Sequence, residues 1–145
     1  MTFRMLILMG ITALLYLTGC SAEPQPIHYG TDVCAFCEMT IVDRQHASEM
    51  VTEKGKVYKY DSIECMLRDR KNHTDVPVAL YLIDDFAHAG ILTDARNATY
   101  LISENFPSPM GANLSGFASR DEAEKVMKSE GGRLFTWQEI GAQIK

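Results

Sequence analysis

Met5 to Leu17 is an apolar run with no charged side chain, and Arg4 precedes it. This stretch decides how much of the chain can join a folded domain. A positive residue followed by such a run reads as an export signal, and the run is too short to cross a bilayer comfortably. It closes on Leu17-Thr18-Gly19-Cys20. Residues 1–19 are therefore expected to be a signal peptide outside the fold. About 125 residues remain, enough for one compact domain with a hydrophobic core.

Small residues running into a cysteine resemble a lipobox, the bacterial lipoprotein processing signal. That resemblance implies that Cys20 is diacylated and heads the mature chain. The protein would then be extracytoplasmic and anchored to a membrane, on its periplasmic face or in the outer membrane. Residues 20–31 contain Glu23-Pro24-Gln25-Pro26 and Gly30. Alternating prolines forbid helix and favour an extended tether. Loss of Arg4 takes the formal net charge from -5 to -6. An acidic chain without a basic run argues against nucleic acid as a partner and against electrostatic binding to anionic lipid. The acyl chains are left as the membrane link.

Beyond the tether, residues 32–145 read as one α+β domain. Ser48–Thr52 and Val57–Tyr60 suggest a hairpin, with Gly55 in its turn. Asp61-Ser62-Ile63-Glu64 starts a helix to about Arg70, with Ile63, Met66 and Leu67 on one side. Val78–Ile83 reads as a buried strand, and Ile91–Thr93 and Ala98–Ile102 as weaker ones. Leu114–Phe117 suggests a strand, and Ser119 to Glu122 a capping box opening a helix that Gly131-Gly132 ends. Arg133–Phe135 reads as a last strand and Thr136 as the cap of a terminal helix. Tyr60-Asp61-Ser62 and Phe117-Ala118-Ser119 each lead from a strand into a helix. The pattern admits two ββαβ-type units, with halves of roughly 32–75 and 76–145.

Chemistry concentrates in Cys34-Ala35-Phe36-Cys37-Glu38-Met39. If Cys20 carries lipid, Cys34, Cys37 and Cys65 remain, and three thiols cannot all pair internally. Two thiols and a thioether are soft donors that suit Cu(I). A redox pair would need only the cysteines, normally with the first at a helix N-terminus. Here Thr40-Ile41-Val42, a strand signal, follows instead. Zinc would need Cys65 and a histidine to complete four ligands. A plain Cys34–Cys37 disulfide is the remaining alternative. Cys65, on a helix beside Met66, reads as a small core residue. His46, His73 and His88 read as solvated loop residues, with His46 the best nitrogen candidate among them. Asp84-Asp85 reads as part of a turn. No triad, paired catalytic carboxylates or phosphate loop is evident, so the chain is not expected to be an enzyme.

Three segments in order strengthen one of these readings. They are Cys34-x-x-Cys37-x-Met39, Tyr58-Lys59-Tyr60-Asp61-Ser62-Ile63-Glu64-Cys65-Met66-Leu67, and Ser108-Pro109-Met110-Gly111 with Gly116-Phe117. Behind a lipobox, they resemble the NosL family of nitrous oxide reductase accessory lipoproteins. The resemblance implies two related ββαβ units and a Cu(I) metallochaperone. It makes Cys37 and Met39 metal ligands and brings Met110 from the far half of the chain. It leaves Cys34 as ligand, alternative ligand or redox partner of Cys37. The implied copper acceptor is nitrous oxide reductase or its membrane ABC-type maturation complex. The competing expectation is a lipid-anchored thiol–disulfide protein using Cys34 and Cys37.

Overall fold

The computed structural model describes residues 21–145. The expected signal peptide and Cys20 lie outside the described residues. The elements are β1 (Ser48–Thr52), β2 (Val57–Tyr60), α1 (Ile63–Asp69), β3 (Val78–Asp84), β4 (Leu92–Asp94), β5 (Thr99–Ile102), β6 (Leu114–Phe117), α2 (Arg120–Glu130), β7 (Arg133–Phe135) and α3 (Trp137–Gln143). A short 3-10 turn, Arg70–His73, continues α1.

Two antiparallel sheets result, in orders β2-β1-β3-β4 and β6-β5-β7. Each contains a ββαβ unit. In β1-β2-α1-β3 and in β5-β6-α2-β7, the first strand lies between the second and the third. The expected α+β architecture of two related units is the one observed. β3 completes the first unit, so that unit runs past residue 75.

One core joins the sheets. Met50 of β1, Ile83 of β3, Ile63, Met66 and Leu67 of α1, Tyr100 of β5, Leu114 of β6 and Ile140 of α3 are buried together. Each such side chain contributes about 1.5–3 kcal/mol by leaving water. A smaller cluster of Leu101, Phe117 and Ala123 lies under α2. The sheets approach closely at Gly116, where a Cβ would run into Ile83 and Ile63.

The capping logic holds at two helices and fails at one. Ser62 caps α1 by accepting from Cys65 N–H, and Thr136 with Glu139 forms a complete capping box on α3. Ser119 makes no side-chain cap bond, so the box expected there is absent. Three further expectations need correction. Thr40 makes a single antiparallel bridge to Val33, so Thr40–Val42 is not a strand. β3 is only half-buried over most of its length. The tether is shorter than residues 20–31: Gln25 N–H donates to Glu49 Oε1 at 2.9 Å, and Lys59 Nζ donates to Pro26 O at 2.7 Å. Ile27 then enters the core, and Tyr29 OH donates to the buried Asp84 at 2.6 Å. The segment is packed on the domain and is not a free tether.

Candidate metal centre

The hexapeptide is a closed loop. The Val33–Thr40 bridge shuts its base. Cys34 N–H donates to Met39 O at 2.8 Å, and Glu38 N–H donates to Cys34 O at 3.1 Å. Glu38 takes a φ of 64°, the left-handed turn that lets six residues double back. Ala35 N–H then donates to Lys59 O at 2.8 Å, which docks the loop on β2. β2 ends one residue later and leads through Asp61 and Ser62 into α1. Docking on Lys59 therefore sets both loop cysteines over the strand-to-helix junction. The Ser62 cap holds Cys65 in the first turn at that same junction.

Cys34, Cys37, Cys65 and Asp61 converge, their ligand atoms all within 4.8 Å of one another. Cys34, Cys65 and Asp61 are buried and Cys37 is half-buried. All three cysteines are free thiols. Cys37 Sγ donates to Asp61 Oδ1 at 3.4 Å, and Asp61 Oδ2 is buried with no protein partner. A hydrogen bond from the Cys65 thiol pulls the Cys34 thiol down to about 6 against the effect of burial, helped by the backbone N–H groups of Cys37, Asp61 and Phe36. Burial, with the Cys34 and Asp61 charges, pushes Cys37 up to about 11. Cys65, as donor to Cys34, is raised as well. Among the three thiols, Cys34 is therefore the one that favours its thiolate form. This arrangement offers soft sulfur and one carboxylate in a partly dry niche, a donor set that suits a thiophilic metal ion.

Of the residues expected to act, Cys34 and Cys37 lie in this cluster. Met39 shares the loop, but 46% of it is exposed. Met110 is half-buried against the main core. Its loop is pinned to α1 by a hydrogen bond from Ser108 to Glu64, the neighbour of Cys65. Glu64 is therefore committed to that loop and not to a capping box. Sequence reasoning missed Asp61 and favoured a packing role for Cys65, which it otherwise raised only as a zinc ligand. Cys65 does belong to the core, and it belongs to the sulfur group as well. The available signal was an aspartate ahead of a serine cap, with a cysteine three residues after the cap. His46 is buried, not solvated; it bonds Asp43 at 2.9 Å and Ser115 at 3.3 Å and is not part of the cysteine group. His73 leans on Tyr58 and bonds Asp69.

A second group of metal-type donors forms among the described residues: Asp85, His88 and Glu122. His88 Nδ1 pairs with Asp85 Oδ2 at 2.7 Å, and His88 Nε2 lies 4.0 Å from Glu122 Oε1.

The protein-family model NosL matches residues 26–144. A copper-binding lipoprotein NosL of Stutzerimonas stutzeri is 30% identical, the match covering 86% of this chain and 73% of that protein. Among solved structures, the copper chaperone NosL from Shewanella denitrificans has the same fold. Its TM-score is 0.65 at 21% identity, over 81% of this chain and 95% of that one.

Proposed function

Because this chain belongs to the NosL family, we propose that it is a membrane-anchored, extracytoplasmic Cu(I) metallochaperone that supplies copper for the maturation of nitrous oxide reductase. A lipid on Cys20 is its anchor. Copper is cargo, so the task is binding and transfer. The acceptor is the reductase itself or its membrane ABC-type maturation complex, as the family resemblance implies.

One observation carries the reading: the gathering of Cys34, Cys37, Cys65 and Asp61 at the point where the loop meets α1. Cys37 and Cys34 supply thiolate to Cu(I), with Met39 and Met110 as thioether donors. Cu(I) accepts few ligands and favours soft ones. The hydrogen bonds that lower the Cys34 thiol favour its thiolate before metal arrives, so binding there displaces little proton near neutral pH. Met39, exposed on the loop, is the donor an acceptor can reach first, so exchange can begin from the outside while the buried thiol still holds the ion.

Anaerobic Cu(I) titration against a chromophoric chelator tests this. Four-ligand zinc sites contribute about 10–16 kcal/mol, so by analogy losing one thiolate is worth roughly 2.5–4 kcal/mol. Cys37→Ser should therefore weaken Cu(I) about 10²–10³-fold, and Met39→Ala less. The second reading, a thiol–disulfide protein, is favoured by the lowered Cys34 thiol beside Cys37. It prevails if Met39→Ala and Cys37→Ser leave Cu(I) binding unchanged while Cys34→Ser abolishes a disulfide reductase activity.

A further inference from the structure

The two units share more than strand order. Cys34 lies fourteen residues before Ser48, where β1 begins, and Asp85 lies fourteen before Thr99, where β5 begins. Each opens a four-residue spacing, Cys34-x-x-Cys37 and Asp85-x-x-His88. Each loop docks by the same bond. Ala35 N–H reaches Lys59 O on β2 at 2.8 Å, and Phe86 N–H reaches Gly116 O on β6 at 2.8 Å. Lys59 and Gly116 both lie one residue before their strand's last aromatic, Tyr60 and Phe117.

The helix starts correspond too. Ser62 and Ser119 are the N-caps, and Cys65 and Glu122 each lie three residues after them. The residue before each cap turns its backbone N–H to the first loop donor: Asp61 to the Cys34 sulfur, and Ala118 to Asp85 Oδ1 at 3.2 Å. The donors Cys34, Cys37 and Cys65 of the first unit thus have Asp85, His88 and Glu122 as counterparts in the second. In each set the donor atoms lie within 4.8 Å of one another; the first group also includes Asp61, whose place in the second unit is taken by Ala118.

We propose that Asp85, His88 and Glu122 form a second metal site, equivalent by internal symmetry to the sulfur site but built for a divalent first-row cation. The donor chemistry sets the ion class. Imidazole and carboxylate suit zinc and its divalent neighbours, whereas Cu(I) prefers sulfur. Asp85 accepts from His88 Nδ1–H, which leaves Nε2 free on the side of Glu122. A carboxylate behind a ligating histidine fixes the tautomer and raises its basicity. His88 Nε2 and the Glu122 carboxylate hold the ion, Asp85 positions the imidazole, and solvent completes the coordination. With His88 60% exposed at its side chain, the site exchanges readily with solution. The protein then handles two metals of different softness at two copies of one structural device.

The full-length protein, loaded anaerobically with Cu(I), tests this by titration with Zn²⁺ while histidine ring signals are followed by NMR. One further equivalent of Zn²⁺ should bind, and the His88 ring nitrogens should shift. His88→Ala and Glu122→Gln should each weaken that equivalent at least about tenfold, the range that even outer-sphere partners command. Neither substitution should change Cu(I) stoichiometry. No Zn²⁺ beyond the sulfur site, or Zn²⁺ uptake indifferent to both substitutions, would overturn the second site. Failure of the chaperone reading looks different: Cu(I) uptake is lost while the His88 signals still respond to Zn²⁺.

Discussion

Helices α1 and α2 follow the second strand of their units, yet one is interior and the other rides the surface. In α1 every residue but Arg68 is buried; in α2 only Ala123 is. The difference comes from what covers each helix. α1 packs on β1 and β2 of its own sheet and also on β6 of the other, whereas α2 packs chiefly on β5, β6 and β7 of its own sheet. Identical topology therefore places the first loop at a dry junction and the second at a wet one. The dry junction carries thiols, with Cys34 buried and its charge held by hydrogen bonds. The wet junction carries an exposed histidine and the partly exposed Glu122, groups whose charge water can solvate, beside Asp85, which is buried and hydrogen-bonded to His88 and to Ala118 N–H. Position in the assembly, more than position in the repeat, has selected the chemistry.

Truncation in the two helices measures that contrast most directly. Leu67 of α1 is fully buried, and Leu67→Ala should cost about 2–5 kcal/mol in urea denaturation. Val126 of α2 is only half-buried against the smaller cluster, and Val126→Ala should cost about 1 kcal/mol or less. Equal losses would mean that the second sheet does not cover α1 as described.

The same contrast explains what could be read from the sequence. The hairpin, α1, β5 to β7 and the terminal helix follow from periodicity, glycine turns and caps, which are local signals. The strand-to-helix echo at Tyr60-Asp61-Ser62 and Phe117-Ala118-Ser119 was visible for the same reason. The cysteine convergence was not, because it depends on Ala35 docking to Lys59 across twenty-four residues. Asp61 looked like a helix cap until its carboxylate was found beside Cys37. The second loop was harder still. Cysteine, cysteine and cysteine correspond to aspartate, histidine and glutamate, so the equivalence survives in geometry and not in residue type. Ile27 was hidden by its prolines, which announce an extended segment but do not say whether it is free or packed.

Proton counting separates the two sites next. Cys34 ionises at about 6 and Cys37 at about 11. Between those limits, Cu(I) binding to both thiolates displaces one proton, from Cys37. Affinity should rise about tenfold per pH unit in that window. Below about pH 6 Cys34 must also give up its proton, and the dependence should steepen toward about a hundredfold per unit. Competition titrations at several pH values read the slope. A slope of two above pH 6 would bring the Cys65 proton into the reaction and displace one of the methionines from the proposed ligand set. At the second site the expected profile differs. The hydrogen bond to Asp85, with Glu122 nearby, raises His88 above its ordinary value. Zn²⁺ affinity there should climb with pH until His88 is neutral and then level off.

The smallest test concerns the caps, where the two units look most alike in sequence. Ser62 accepts from Cys65 N–H at 3.1 Å inside the core, whereas Ser119 makes no side-chain cap bond. Removing a working cap costs about 0.5–2 kcal/mol. Ser62→Ala should therefore lower stability by about 1 kcal/mol, and it should also disturb Cu(I) binding, because the bond it removes fixes the turn that presents Cys65. Ser119→Ala should leave thermal stability nearly unchanged and Cu(I) binding untouched. If Ser62→Ala destabilises the fold yet leaves Cu(I) affinity at the wild-type value, Cys65 belongs to the packing of α1 alone. The functional sulfur would then be confined to the loop, with its Met39, and to Met110. If Ser119→Ala proves as costly as Ser62→Ala, the two junctions are equally built, and the burial of α1 no longer explains why only one of them carries thiols.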